Sequence, residues 1–191
     1  AWQACRGKPK IDPDLPAVIA VDAASRRDTT ALALVQRDLD GVHHVKTWHF
    51  ESDSGMGMFD YAHLEDLIIQ LSQEYTITRI GFDPFQMTRT QQLLSYEHGL
   101  PCETFPQSDS RLVPACQLIY DAVMEGRLRH DGDATLTQQV LAAGIRETPR
   151  GWRFEKRKST GPIDGLIALT IGVQLAEWEA SLGGAPSVFM V

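Results

Sequence analysis

Three aspartates in this sequence stand where an apolar segment ends or begins. Asp22 follows the apolar run AVIAV, Asp83 ends the short run RIGF, and Asp164 opens the long apolar pattern GLIALTIGV. Carboxylates held close together repel one another, and the usual remedy in proteins is a bound divalent cation. Ligands that are all oxygen suit Mg²⁺ or Mn²⁺ better than zinc. Two such ions about 3.5–4 Å apart can clamp the attacking and leaving oxygens of a phosphodiester.

Each aspartate also has a purely structural interpretation. Asp22 can form a turn, as Asp often does where a strand ends. Asp83 and Asp164 both precede helical patterns, where an aspartate can cap the first turn. If all three do only this, the chain is a non-catalytic docking module without metal affinity.

The elements that would position these residues follow from the order of the apolar patterns. Strands are predicted at 17–23, 30–37 and 43–50, with an Asp-Gly turn signal at residues 40–41. Helices and strands then alternate, which predicts an α/β fold with a mixed sheet and helices on its faces. Right-handed crossovers would place the strand at 79–83 beside the first strand. Asp22 and Asp83 would then meet, and the amphipathic helix predicted at 164–182 would aim Asp164 towards them.

Composition indicates one ordinary globular domain. The 191 residues carry a net charge of −7, and 43% of them are hydrophobic. Three widely spaced cysteines predict neither a zinc site nor a disulfide framework. No apolar run is long enough to span a membrane. Residues 1–16 resemble a linker or the tail of a preceding domain, residues 17–182 form the predicted domain, and residues 183–191 form a tail.

The basic residues concentrate near Asp164, at the end of a strand predicted over 151–158. On that strand Lys156 and Lys158 would share the face of two aromatic residues, Trp152 and Phe154. The charges could contact DNA phosphates, or they could protect an exposed sheet edge. The three histidines of the third strand are predicted to be exposed. The candidates for phosphate contact are Arg26, Arg27, Arg153, Lys156, Arg157 and Lys158.

Four segments, taken together, resemble a known family. They read VDAASRRDTTAL, FDPF, GRLRHDGDATLTQQVLAAG and KRKSTGPIDGLIAL. Their order and spacing are similar to those of the nuclease domain of the large terminase subunit of tailed bacteriophages, from about Ala17 to Leu175. The resemblance implies an RNase H-like fold and a metal-dependent endonuclease that cuts concatemeric viral DNA during genome packaging. Other RNase H-like enzymes, such as a resolvase, an exonuclease or a transposase, remain alternatives.

The resemblance also assigns roles to individual residues. Asp22, Asp83 and Asp164 match the metal-binding acidic triad, and Asp28 matches an additional acid found in some members. The segment with His130 and Asp131 matches one whose role does not follow from the sequence. The implied partners are double-stranded DNA, the terminase ATPase domain, the small terminase subunit and the portal, in the cytoplasm of the host cell. No G-x-x-x-x-G-K-[ST] motif occurs, so ATP hydrolysis is not predicted.

Overall fold

The fold consists of eight strands and five α-helices over the described residues. The computed structural model describes residues 1–23, 29–51, 61–84 and 87–183. The strands are β1 Ala17–Asp22, β2 Thr30–Arg37, β3 His43–Phe50, β4 Ile77–Phe82, β5 Cys102–Thr104, β6 Leu128–His130, β7 Ile145–Thr148 and β8 Gly151–Phe154. The helices are α1 Tyr61–Glu74, α2 Thr88–Tyr96, α3 Asp109–Met124, α4 Ala134–Ala142 and α5 Asp164–Ser181. Two short 3₁₀ helices cover Trp2–Cys5 and Lys156–Lys158.

Six strands form one mixed sheet in the order β5-β4-β1-β2-β3-β6. Strands β1, β2 and β3 are antiparallel neighbours, and β4 lies parallel to β1. The predicted meander and the predicted pairing of the first and fourth strands are therefore confirmed. Strand β6, parallel to β3, was not predicted, because its three residues follow a helix without a periodic pattern of their own.

Helices cover both faces of this sheet, as predicted. Helices α1 and α2 pack on one face, where Val21 and Phe82 point. Helices α3 and α5 pack on the other face, where Ala20 points. Since side chains alternate along a strand, Asp22 belongs to the face covered by α5.

Helix α5 is buried along most of its length. The sequence predicts an amphipathic helix, and this is wrong, because α5 lies between the sheet, α3 and α4 and has little surface left for solvent. Gly172 lets it approach β2 closely: a Cβ at this position would lie 2.7 Å from Cγ2 of Val35.

The N-terminal residues pack on the domain rather than leading away from it. Trp2 is buried and stacks on His130, with ring centroids 4.0 Å apart and planes 10° apart. The backbone N–H of Gly7 donates to the carbonyl of His130 at 2.9 Å. His130 is itself buried, so in this structure it anchors the first residues to strand β6.

The predicted strand over 151–158 is only half correct. Strand β8 ends at Phe154 and pairs with β7 in a separate hairpin, and residues 156–158 turn into a 3₁₀ helix. The turn is fixed because Glu155 N–H donates to the Gly144 carbonyl at 2.9 Å and Gly144 N–H donates to Ser159 Oγ at 2.9 Å. The face pattern predicted for Lys156 and Lys158 therefore does not apply.

Candidate metal and nucleic-acid site

Two buried carboxylates meet at the carboxyl end of β1 and the start of α5. Asp22 and Asp164 are 1% and 2% exposed. The ammonium group of Lys156 lies between them, with Nζ 2.8 Å from Asp22 Oδ2 and also bonded to Asp164 Oδ1. Two distant parts of the chain are thus joined through a single positive charge.

Two neutral side chains complete the surroundings of these carboxylates. Gln107 Nε2 donates to Asp22 Oδ1 at 2.7 Å, and Thr29 Oγ1 donates to Asp164 Oδ2 at 2.8 Å. Gln107 lies between β5 and α3, and Thr29 directly precedes β2. Sequence reasoning missed both residues: Thr29 stands inside the segment that carries Asp22, whereas nothing near Gln107 marks it.

The protonation of the site reflects burial first and charge second. Burial raises the pKa of Asp22 to about 6, with the Asp164 carboxylate adding to the increase and the Lys156 ammonium opposing it. For Lys156, burial acts to lower the pKa, but the charges of Asp22 and Asp164 outweigh it and raise the pKa above its usual range. Two carboxylates with one ammonium form a buried site that favours further positive charge.

Asp83 follows strand β4 directly. Its neighbour Phe82 pairs with Val21 of β1, so Asp83 comes next to Asp22 in register. Alternation also places Asp83 on the face of the sheet covered by α5. Over the ranges that the structure describes, no three His, Cys, Asp or Glu side chains are grouped closely enough to hold a metal ion. The structure therefore brings Asp22 and Asp164 together, with Asp83 on the adjacent strand end.

The start of α5 shows that Asp164 does not act as a helix cap. The side-chain oxygen of Gln139 accepts from the backbone N–H groups of Gly165 at 2.6 Å and Leu166 at 3.3 Å. The Asp164 carboxylate is instead bonded to Lys156 and Thr29. The interpretation of this residue as a capping aspartate is therefore wrong.

His49 packs against the same helix start. A Cβ on Gly165 would lie only 2.5 Å from Cε1 of His49, so only glycine fits there without movement. His49 Nε2 is 3.1 Å from Asp133 Oδ1, and its side chain is 12% exposed. His43 and His44 are buried. The predicted exposure of these three histidines is wrong. His43 pairs with Glu177 of α5 and His49 packs on the start of α5, whereas His44, on the other face, accepts a hydrogen bond from the backbone N–H of Lys10.

The predicted phosphate-binding residues have different environments. Arg153 is largely buried and donates to the Gln107 carbonyl at 2.7 Å and to Asp109 at 3.2 Å, so it supports the loop that carries Gln107.

The other predicted phosphate-binding residues of this segment, Arg157 and Lys158, are exposed. An open cleft of about 390 Å³ runs from Lys156 and Arg157 to Asp164. Arg26, Arg27 and Asp28 lie outside the described residues, as do residues 184–191 of the predicted tail.

The mixed six-stranded sheet with helices on both faces, and buried carboxylates at the carboxyl end of β1 and at the start of α5, has the RNase H-like fold. The chain belongs to the family described as "Terminase large subunit, endonuclease domain", whose match covers residues 44–179. The resemblance noted from the sequence is thereby confirmed. A relative is the large terminase subunit of Enterobacteria phage HK97, 23% identical over 210 residues. The match covers 96% of this chain and 42% of the phage protein, so the chain spans less than half of that relative.

Solved structures support the same fold. The crystal structure of the HK97 large terminase is similar with a TM-score of 0.82 and 23% identity, covering 92% of this chain and 42% of that one. The large terminase nuclease of thermophilic phage G20c with bound magnesium is similar with a TM-score of 0.61 and 17% identity, covering 87% of this chain and 84% of that one. The described part of the chain contains no helix that is long and apolar enough to cross a membrane.

Proposed function

We propose that this domain is a divalent-metal-dependent endodeoxyribonuclease that cuts concatemeric viral DNA during genome packaging. The observation that carries the proposal is the pair of buried carboxylates, Asp22 and Asp164, held together by a positive charge. A docking module has no need for two carboxylates buried around one cation, because burying charge is costly.

The residues present fit Mg²⁺ or Mn²⁺. Asp22 and Asp164 supply hard, anionic oxygen ligands, and Asp83 stands at the adjacent strand end to complete the set. Asp28, outside the described residues, remains a candidate for an additional ligand. Related terminase nucleases of phage G20c have been crystallised with magnesium, cobalt and zinc. Bound metal would supply Lewis acidity at the phosphate and a two-metal arrangement for hydrolysis.

The protein's own side chains hold and orient the carboxylates. Gln107 and Thr29 each donate a hydrogen bond to one carboxylate and so fix its rotation. Arg153 in turn fixes the loop that carries Gln107. Rigid positioning of this kind keeps the ligand oxygens in place while the DNA backbone enters.

DNA would approach through the cleft that ends at Asp164. Although the chain is acidic overall, the exposed Arg157 lines this cleft, and the exposed Lys158 follows it in the same 3₁₀ helix. Such contacts bind the phosphate backbone and do not read the base sequence. Arg26 and Arg27, which follow Asp22 closely in sequence, are further candidates for phosphate contact.

The wider assembly belongs to the same proposal and is inferred from the resemblance to large terminase subunits. In a complete large terminase subunit this domain would work with the ATPase domain, the small terminase subunit and the portal. Its substrate would be double-stranded viral DNA in the cytoplasm of the host cell.

Cleavage of supercoiled plasmid in Mg²⁺ or Mn²⁺ tests the proposal. We expect nicked and linear products, since an endonuclease needs no DNA end, and we expect none after chelation. Asp22→Asn and Asp164→Asn should fold normally and abolish cleavage, because amides are poor ligands for these ions. Digestion of linear DNA only would indicate an exonuclease. Full activity of either variant would contradict the assignment of the site.

A further inference from the structure

We propose that Lys156 is an internal counterion, which holds the two carboxylates of the metal site together when no metal is bound. A divalent ion must displace the Lys156 ammonium group in order to bind. The inference rests on the proposed function and adds a determinant of metal affinity. It assigns to Lys156 a role towards the metal in addition to the phosphate contact predicted for it.

The ammonium group of Lys156 stands between the two carboxylates. Nζ of Lys156 contacts one oxygen of each carboxylate, Oδ2 of Asp22 and Oδ1 of Asp164. A cation that bridges these two aspartates would need the same two oxygens. Within the described residues, Asp22 Oδ2 is fully buried and has no hydrogen-bonding partner besides this ammonium group. Lysine and metal therefore compete for one place.

The remaining oxygens of the pair are already bonded to neutral donors. Asp22 Oδ1 accepts from Gln107, and Asp164 Oδ2 accepts from Thr29. These bonds keep both carboxylates oriented whether or not the ammonium group is present. If the Lys156 ammonium group left, Asp22 Oδ2 and Asp164 Oδ1 would thus be free, and both would still face the place that it had occupied.

The backbone beneath Lys156 is fixed, whereas its side chain can leave. Glu155 N–H donates to the Gly144 carbonyl at 2.9 Å, and Lys158 N–H donates to the Glu155 carbonyl at 3.0 Å. The Lys156 side chain is 42% exposed, so its stem borders solvent even though its end group is held by the carboxylates. A flexible four-carbon stem allows the ammonium group to turn outwards without a change of fold.

Displacement has a consequence for DNA. Lys156 lines the same cleft as Arg157, so an ammonium group released from the carboxylates adds positive charge where the phosphate backbone is proposed to bind. Metal binding and DNA binding would then reinforce each other, as linkage requires for two ligands that favour the same conformation.

The test compares Lys156→Met with Lys8→Met. Methionine keeps much of the stem and removes the charge, and Lys8 is an exposed lysine of the N-terminal residues with no proposed role in the site. Mn²⁺ affinity is measured by calorimetry, and Tm is measured in chelator and in Mn²⁺. For Lys156→Met we expect a lower Tm in chelator and Mn²⁺ binding at least about tenfold tighter. Lys8→Met should resemble the original protein in both measurements.

Unchanged or weaker Mn²⁺ binding in Lys156→Met would overturn the inference. If the original protein binds Mn²⁺ and cuts plasmid while the variant's affinity is unchanged, only the counterion role fails. If neither protein binds Mn²⁺, the proposed metal-dependent function fails with it.

A second measurement observes Lys156 directly in the original protein. In the original protein the ¹⁵N signal of Lys156 Nζ should move on addition of Mg²⁺, since the ammonium group leaves its two carboxylates. Lys156→Arg removes that signal and so assigns it. A signal that stays in place at saturating Mg²⁺ would equally contradict the displacement.

Discussion

The side-chain oxygen of Gln139, in α4, accepts a hydrogen bond of 2.6 Å from the backbone N–H of Gly165 at the start of α5. The bond is buried, and it joins the two helices directly beside Asp164. A helix start that is buried must have its N–H groups satisfied by some partner. Gln139 provides that partner and leaves the aspartate carboxylate available.

Gln139→Ala should lower stability and disturb the site. The change leaves buried N–H groups of α5 unpaired, which costs about 1–3 kcal/mol. Urea unfolding measures the loss, and plasmid cleavage should fall because Asp164 is no longer held in place. The matched control is Gln92→Ala, an exposed position on α2, which should change neither quantity. Equal stability of the two variants would show that Gln139 does not support the helix start.

Gly165→Ala should destabilise the domain through a clash with His49. The added Cβ would lie 2.5 Å from His49 Cε1, and overpacking of this kind costs about 1–3 kcal/mol. Removing the ring with His49→Ala in the same chain should recover part of the loss. Gly161→Ala is the control, because its Cβ would meet only Ala142 Cβ at 3.8 Å. A double variant no more stable than Gly165→Ala would place the strain elsewhere.

Stability should decrease in acid through Glu177. A hydrogen bond from His43, together with the charges of His43 and Arg37, lowers the pKa of Glu177 from 4.5 to about 2, although burial opposes the change. A carboxyl group whose pKa is lower in the folded than in the unfolded state stabilises the fold at pH values above its unfolded-state pKa. This contribution is lost as the pH falls towards the folded-state pKa. Urea unfolding between about pH 5 and about pH 2.5 should therefore show a steeper loss for the original protein than for Glu177→Gln. Parallel curves would contradict the assignment.

Arg157→Ala combined with Lys158→Ala should weaken DNA binding and reduce its dependence on salt. Each lost phosphate contact lowers the slope of log affinity against log salt by about 0.9 for duplex DNA. Binding is measured in chelator to prevent cleavage. Lys8→Ala with Lys10→Ala removes the same charge from exposed positions in the first residues and serves as control. If both pairs reduce the slope equally, the effect is one of net charge and the cleft is not the binding path.

The relation between Asp22 and Asp83 could be predicted from the sequence, whereas the surroundings of Asp164 could not. Crossover handedness and apolar runs suffice to align the first and fourth strands. Gln107 and Thr29 are single polar residues in connecting segments, and no periodic pattern in the sequence indicates that they bond to the two carboxylates. Lys156 was found as a basic residue near Asp164, but alternation predicted a strand where backbone bonds to Gly144 impose a turn.

The buried histidines show a further limit of pattern reasoning. His49 stands on a strand whose alternation looks like that of an exposed edge. Its low exposure depends on Asp133, just before α4, and on Gly165 of α5, which follow more than 80 residues later in the chain and whose packing no local signal encodes.

The stacking of Trp2 on His130 has a practical consequence for expression of this nuclease. Strand β6 is the last strand of the sheet, and Arg6 pairs with His130 along its outer side. A recombinant fragment that started at Ala17 would uncover this strand and the ring of His130. Uncovered edge strands pair with other chains. Such a fragment should therefore self-associate, whereas one that retains Trp2 should stay monodisperse.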